Sequence, residues 1–512
     1  MNIRLMYRSA ICLACLLMVA CHARGTHHLD NPRAERFVQP HRAAPQAGFE
    51  VPEQNTENYR DYGINPWVQA SEDRFSTFGA DVDTGSYTLA RRKLQSKELP
   101  VPIGVRVEEF LNYYRYDYPE PEDGTIGVHL EAAPNPFVND SKRMLLKVGL
   151  QAKSLREAER KPVHLTFLVD TSGSMNRPNR LPLAKRTLEI LTNNLRPGDT
   201  VALATYAGTV EKVLEPTGVE YKGRIIEAID SLRAGGYTRM GSGIDLAYEL
   251  ASQNLKHGHV NRVIVLSDGD ANVGRTSHEE ILEQIAEYVD QGITLSTVGF
   301  GVGNYNDVMM EQLANKGNGN YSYVDRIEEA HRIFGDNLGG TLEMIAKDVK
   351  IQVEFNPEVV GRYRLIGYEN RDIADKDFRN DTVDSGDMGI GHSVTALFEV
   401  ELVNGKPAEN LATVRIRHQE PHGGTATESA YGLSRAQVQP TISEASPDFA
   451  FVVAVAAFAE LLRDSPHMKG ASLERIVELA RRSASDYPDR EEFVELVRLA
   501  SPMLHARADA VR

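Results

Sequence analysis

The stretch Leu165-Thr166-Phe167-Leu168-Val169-Asp170-Thr171-Ser172-Gly173-Ser174-Met175 decides how this chain reads. An apolar run of strand length leads straight into a carboxylate and then two hydroxyls at alternate positions. A near-continuous apolar strand is what a parallel sheet covered on both faces requires. In open α/β sheets, ligands bind outside the carboxyl ends of the strands. Asp170, Ser172 and Ser174 stand on a tight loop at such an end, with Gly173 permitting the close backbone. Their oxygens are hard donors, suited to Mg2+, Mn2+ or Ca2+ and not to a soft metal.

Outward from this loop, residues 163–346 alternate strand and helix. Strands are expected at Val163–Val169, Val201–Tyr206, Arg262–Leu266, Ile293–Val298 and Tyr321–Val324. Helices are expected at Pro182–Leu195, Gly223–Leu232, Gly241–Leu255, Ser277–Gln291, Asn306–Asn315 and Glu328–Ile345. The alternation predicts an α/β fold with a doubly wound, mostly parallel sheet.

Asp170, Ser172 and Ser174 resemble the first loop of the metal-ion-dependent adhesion site of von Willebrand factor type A domains, as in integrin inserted domains; that site implies a Thr and an Asp from later loops, matched by Thr238 after Gly235-Gly236-Tyr237 ahead of a helix and by Asp268 after the apolar strand Val263–Leu266. The resemblance implies that the first-loop residues and Thr238 bind a divalent cation, Mg2+ or else Mn2+ or Ca2+, directly or through water. Asp268 would act through water. With few direct carboxylates such a cation keeps positive charge and seeks an Asp or Glu carboxylate from a partner protein, completing an octahedral site.

The flanks are read as follows. Residues 1–20 form a signal peptide: Arg4 and Arg8 precede the apolar stretch Ala10–Ala20, too short to span a bilayer. The end, Leu17-Met18-Val19-Ala20-Cys21, resembles a bacterial lipobox with Cys21 lipidated. Met18 stands where Leu is usual. Cleavage there leaves no cysteine able to form an internal disulfide. The expected location is the bacterial cell envelope, lipid-anchored and facing the periplasm or in the outer membrane. Residues 21–58 read as a disordered tether. Residues 59–122 form a helical N-terminal region, with helices at Tyr87–Leu94 and Val105–Tyr114. Residues 123–162 and 347–440 are β-rich; strands from 126–150 and 347–420 are expected to pair as one module, since such A domains are often inserted between strands of a sandwich. Asp372–Gly391, rich in Asp and Gly, reads as an exposed loop that lacks EF-hand spacing. Residues 441–512 are helical, opened by the strongly apolar Asp448–Arg463.

Asn65-Pro66, Ser76-Thr77-Phe78, Asp81-Val82-Asp83, Arg91-Arg92 and Glu108-Glu109-Phe110-Leu111-Asn112-Tyr113 resemble the N-terminal region of a family of bacterial von Willebrand factor A lipoproteins. Residues 347–504 look similar to that family's C-terminal domain of unknown function.

A net charge of −15 excludes a phosphate-backbone footprint, so no nucleic-acid partner is expected. Hydrolase chemistry lacks its motifs: Met240-Gly241-Ser242-Gly243 only partly matches a nucleophile elbow, His-Glu-x-x-His does not occur, and His164 reads as a core or edge histidine. The expectation is a binding protein and not an enzyme. An envelope scaffold with a purely structural metal, an uncharacterised metal-dependent hydrolase and a subunit serving an AAA-type ATPase stand as alternatives.

Overall fold

The computed structural model describes residues 57–156, 159–269, 278–301, 305–403, 410–421, 423–434, 437–484 and 487–511. The expected signal peptide, Cys21 and nearly all of the expected tether lie outside them. Glu57 and Asn58, at the end of the segment read as tether, are held against the body. Glu57 pairs with Lys93 at 2.9 Å, and the Asn58 N–H donates to the Tyr305 carbonyl.

In chain order the strands are β1 (Val68–Gln69), β2 (Phe75–Gly79), β3 (Ile126–Pro134), β4 (Arg143–Ala152), β5 (Val163–Asp170), β6 (Thr200–Tyr206), β7 (Val210–Gly218) and β8 (Val260–Ser267). They continue with β9 (Ile293–Gly299), β10 (Tyr321–Tyr323), β11 (Met344–Phe355), β12 (Val360–Ile366), β13 (Gly386–Gly389), β14 (Ser393–Leu402), β15 (Asn410–Gln419) and β16 (Thr427–Ser434). The helices used below are α1 (Gly85–Gln95), α2 (Val107–Tyr113), α3 (Leu181–Asn193), α4 (Lys222–Ser231), α5 (Met240–Gln253), α6 (His278–Asp290) and α7 (Asp307–Lys316).

Among the described residues the central sheet runs β10-β9-β8-β5-β6-β7. It is parallel except for β7, an antiparallel edge that the sequence reading missed. β5 is buried along its whole length, as a strand covered on both faces must be. One face carries Leu165, Phe167 and Val169 against Leu188 and Ile225 of α3 and α4. The other carries Leu168 against Ile244, Ile285 and Met310 of α5, α6 and α7. The fold is therefore the α/β architecture expected.

The flanking β segments pair as expected. β4 lies between β3 and β14, while β11 lies in a second sheet with β15 and β16. Phe78, Leu146, Val148, Ile351, Val353, Phe398 and Val414 fill one core between the sheets. The A domain is inserted between β4 and β11. Its ends are tied where the Lys161 N–H donates to the Glu343 carboxylate at 3.0 Å.

Several expectations are corrected. The region 59–122 is not purely helical, because β1 pairs with β12 and β2 with β11. Its helices α1 and α2 share a core with the C-terminal helices, Tyr87, Phe110 and Tyr114 meeting Phe451, Phe458 and Phe493. The helix expected over 328–345 breaks into short turns, and β11 already begins at Met344. Gly340 seats directly on His392: a Cβ there would lie 2.6 Å from the imidazole. Asp372–Gly391 is not an open loop. Ile373, Phe378 and Met388 anchor it in the interior, and β13 pairs with β11. The apolar helix Pro447–Leu462 is buried nearly all round, as its composition predicts.

The junction of these parts is rich in buried charge. Glu108 is 1% exposed and accepts from the Tyr368 N–H at 2.8 Å. Burial first, then the charges of Glu369 and Asp81, push its carboxyl up to about 7 from 4.5. Folding therefore takes up a proton between those values, and stability falls as pH rises from 4.5 through 7. Glu108→Gln is expected to flatten that fall by about 1–3 kcal/mol. Urea unfolding at pH 5 and pH 8, wild type against variant, measures it.

Candidate metal centre

Asp170 is the last residue of β5, the strand flanked on both sides by parallel neighbours. Leu266 of β8 pairs with Val169, so Ser267 stands beside Asp170 and Asp268 follows at the same edge. The Asp170 Oδ1 accepts the Ser172 N–H at 2.8 Å, and Oδ2 accepts the Ser267 hydroxyl at 3.1 Å. The Ser172 and Ser174 hydroxyls lie 2.9 Å apart, so both face one position. The fully buried Met175 pins the short turn that carries them.

The loop bearing Thr238 is strapped to this turn. The Gly235 N–H donates to the Thr171 carbonyl at 2.7 Å, and the Gly173 N–H to the Gly236 carbonyl at 3.0 Å. Here the sequence reading of Gly173 is refined. Its φ is not positive; the left-handed position is Gly236, at φ 88°, where a Cβ would also lie 3.0 Å from the Gly208 nitrogen. Thr238 is half-buried two residues before α5, and its place rests on these backbone bonds. Beside it Tyr237 is 87% exposed.

Asp268 is buried and its Oδ2 accepts from Arg180 Nη1 at 2.7 Å. The same Nη1 donates to the Ser174 carbonyl at 2.9 Å. Sequence reasoning missed Arg180, which falls in no motif; its place in the loop ten residues after Asp170 was the only signal. Ser267, the last residue of β8, is a second polar residue beside Asp170 that the sequence reading did not single out. Gly269, at φ 72°, packs against Asn306, where α7 begins.

Burial first and then the Asp268 charge push the Asp170 carboxyl up to about 7, against the hydrogen bonds from Ser172 and Ser267. Asp170 and Asp268 together exceed the single Arg180 charge by one. The Tyr206 hydroxyl, fully buried at the end of β6, has no hydrogen-bond partner among the described residues. No group of His, Cys, Asp or Glu side chains among the described residues is arranged to hold a metal alone. Among the described residues the Ser172 and Ser174 hydroxyls are the further oxygens beside Asp170. Hard oxygens around a buried excess carboxylate fit a divalent cation of the Mg2+ class.

His164 lies at the far end of β5 from Asp170, bonded to Thr200 Oγ1 and His259 Nδ1 at 2.8 Å each. It is not within reach of Ser172 or Ser174 as a general base.

Comparison with known proteins follows this geometry. Residues 164–336 match the von Willebrand factor type A domain, residues 53–147 match a family described as von Willebrand factor, and residues 340–409 and 401–503 match the C-terminal domain of the uncharacterized protein YfbK. The chain is 38% identical over 488 residues to the uncharacterized protein YfbK of Escherichia coli, spanning 90% of this chain and 84% of that one. It is 24% identical over 285 residues to the uncharacterized protein sll0103 of Synechocystis sp., spanning 54% of this chain and 67% of that one. A solved von Willebrand factor type A protein from Catenulispora acidiphila superposes with a TM-score of 0.45 at 16% identity, spanning 73% of this chain and 89% of that one.

Proposed function

The chain belongs to the family of the uncharacterized protein YfbK, and on that premise we propose that its A domain is a metal-ion-dependent module that captures a carboxylate of a partner protein. The reading adds envelope attachment through lipidated Cys21, from the sequence alone. The observation that carries it is the convergence of Asp170, Ser172 and Ser174 at the carboxyl edge of the sheet, beside Asp268 and the strapped Thr238 loop.

Asp170, Ser172 and Ser174 would hold a bound Mg2+, which would supply positive charge that attracts an external carboxylate oxygen. The chain's own residues prepare that centre. Asp170 gives the direct negative charge, its orientation fixed by Ser172 and Ser267. Ser172 and Ser174 present neutral oxygens, so charge is not cancelled locally. Asp268 is held back by Arg180. Tyr237, exposed beside Thr238, offers an aromatic contact to the partner's flank. His164 stands at the far end of β5 from these hydroxyls, and in this reading the module binds without turning over a substrate.

The test is partner capture from envelope preparations by the full chain, in Mg2+ and in chelator, coupled to Mn2+ titration. Capture that needs metal, and fails with Asp170→Ala, supports the reading. Capture indifferent to both overturns it.

Gly236→Ala is expected to weaken Mn2+ binding about tenfold, since a side chain at positive φ costs about 1–2 kcal/mol. The strap to Gly173 shifts with it. Calorimetric titration of the variant checks this; unchanged affinity would mean that the Thr238 loop does not contribute to the centre.

A further inference from the structure

Arg180 immediately precedes α3, and its side chain is only 2% exposed. It reaches Asp268 Oδ2 at 2.7 Å and the Ser174 carbonyl at 2.9 Å. The chain makes a seat for it. Gly301 has φ 78°, and a Cβ there would lie 2.4 Å from Arg180 Nε and 2.9 Å from its Cγ. A guanidinium is thus built into the candidate metal centre, bridging the first loop to the third.

We infer that Arg180 is a resident counter-charge that makes cation retention conditional on an external carboxylate. This rests on the metal-centre reading above. Arginine stays charged at all working pH values. Its bond to Asp268 neutralises that carboxylate, leaving Asp170 as the one uncompensated acid among the residues assigned to the centre. A divalent ion placed beside Asp170, Asp268 and Arg180 leaves one positive charge unbalanced. Without Arg180 the same ion would be balanced. In a buried site such charges interact strongly. The cation is therefore held loosely on its own and tightly once a ligand carboxylate arrives. By linkage, the ligand is bound more tightly by the same factor when the cation is present.

A structural tether alone would need the bond to Asp268 and not the charge. The two roles separate in an experiment on the full chain, with Mn2+ as the metal probe and acetate as the carboxylate probe. Wild type is expected to bind Mn2+ weakly in acetate-free buffer and more tightly with acetate. Arg180→Met is expected to bind Mn2+ roughly tenfold more tightly without acetate, with most of the acetate effect lost. Arg180→Lys keeps the charge and is expected to follow wild type. Asp268→Asn, which leaves the guanidinium unbalanced, is expected to weaken Mn2+ about tenfold or more while retaining the acetate effect. It tests the inference even if Arg180→Met fails to fold. Equal or weaker Mn2+ binding by folded Arg180→Met, or wild-type affinity in Asp268→Asn, overturns the counter-charge and leaves the metal-centre reading intact. Absence of Mn2+ binding in wild type with and without acetate overturns both.

Discussion

Asp170→Ala is expected to remove divalent-cation binding, with calorimetric affinity for Mn2+ or Mg2+ lowered about a hundredfold or more. Asp170 is the only carboxylate in the first loop, and its partner acid Asp268 is already held by Arg180. Among the described residues, no other carboxylate of the candidate centre stands at the end of β5 to take over its charge. Asp170→Asn should lose binding as fully, although its side-chain oxygen can still accept the Ser172 N–H. That pair of variants separates loss of charge from loss of loop geometry. If Asp170→Asn kept wild-type affinity, the loop would be shaped like a metal site without serving as one.

The second large effect lies in the junction that fixes the A domain to its flanks. Arg91 on α1 grips Asp325 through Nε at 2.9 Å and Nη2 at 2.6 Å, and reaches Glu329 at 2.9 Å and the Tyr113 hydroxyl at 2.6 Å. The side chains of Arg91, Asp325 and Glu329 are all at most 1% exposed. Arg91→Met keeps the aliphatic bulk but takes the guanidinium from buried Asp325 and leaves Glu329 only Arg332 as a cation among the described residues, so a loss of about 3–5 kcal/mol is expected. Guanidinium unfolding measures it, and hydrogen exchange should show α1 and residues 321–331 losing protection together. A loss below about 1 kcal/mol would show that water reaches these acids and that the network does not hold the parts together.

The A domain was legible because its signals are local. β5 is an apolar run ending in Asp170, and the candidate metal-site residues follow a strand end or, for Thr238, precede a helix, at places that a known pattern marks. The sandwich was legible as strands and as an expected pairing, but its register was not. β4 and β14 lie far apart in sequence, and only the packing of Leu146, Val148 and Phe398 against Ile351 and Val353 sets which residue faces which. β1 and β2 escaped notice because a short strand leaves almost no periodicity to read. The broken helix over 328–345 was misread because tertiary contact overrode propensity at Gly340, seated on His392. Within the site, Arg180 was invisible for the same reason. Its role comes from a seat supplied by Gly301 and an acid supplied by Asp268, and no local pattern joins those positions.

The most direct test of the central claim is a crystal structure of the chain grown with Mn2+ and a carboxylate, read by anomalous scattering. A peak is expected about 2.2 Å from Asp170 and from the Ser172 and Ser174 hydroxyls, with an external carboxylate oxygen beside it. A peak elsewhere in the molecule, with this loop free of metal, would contradict it.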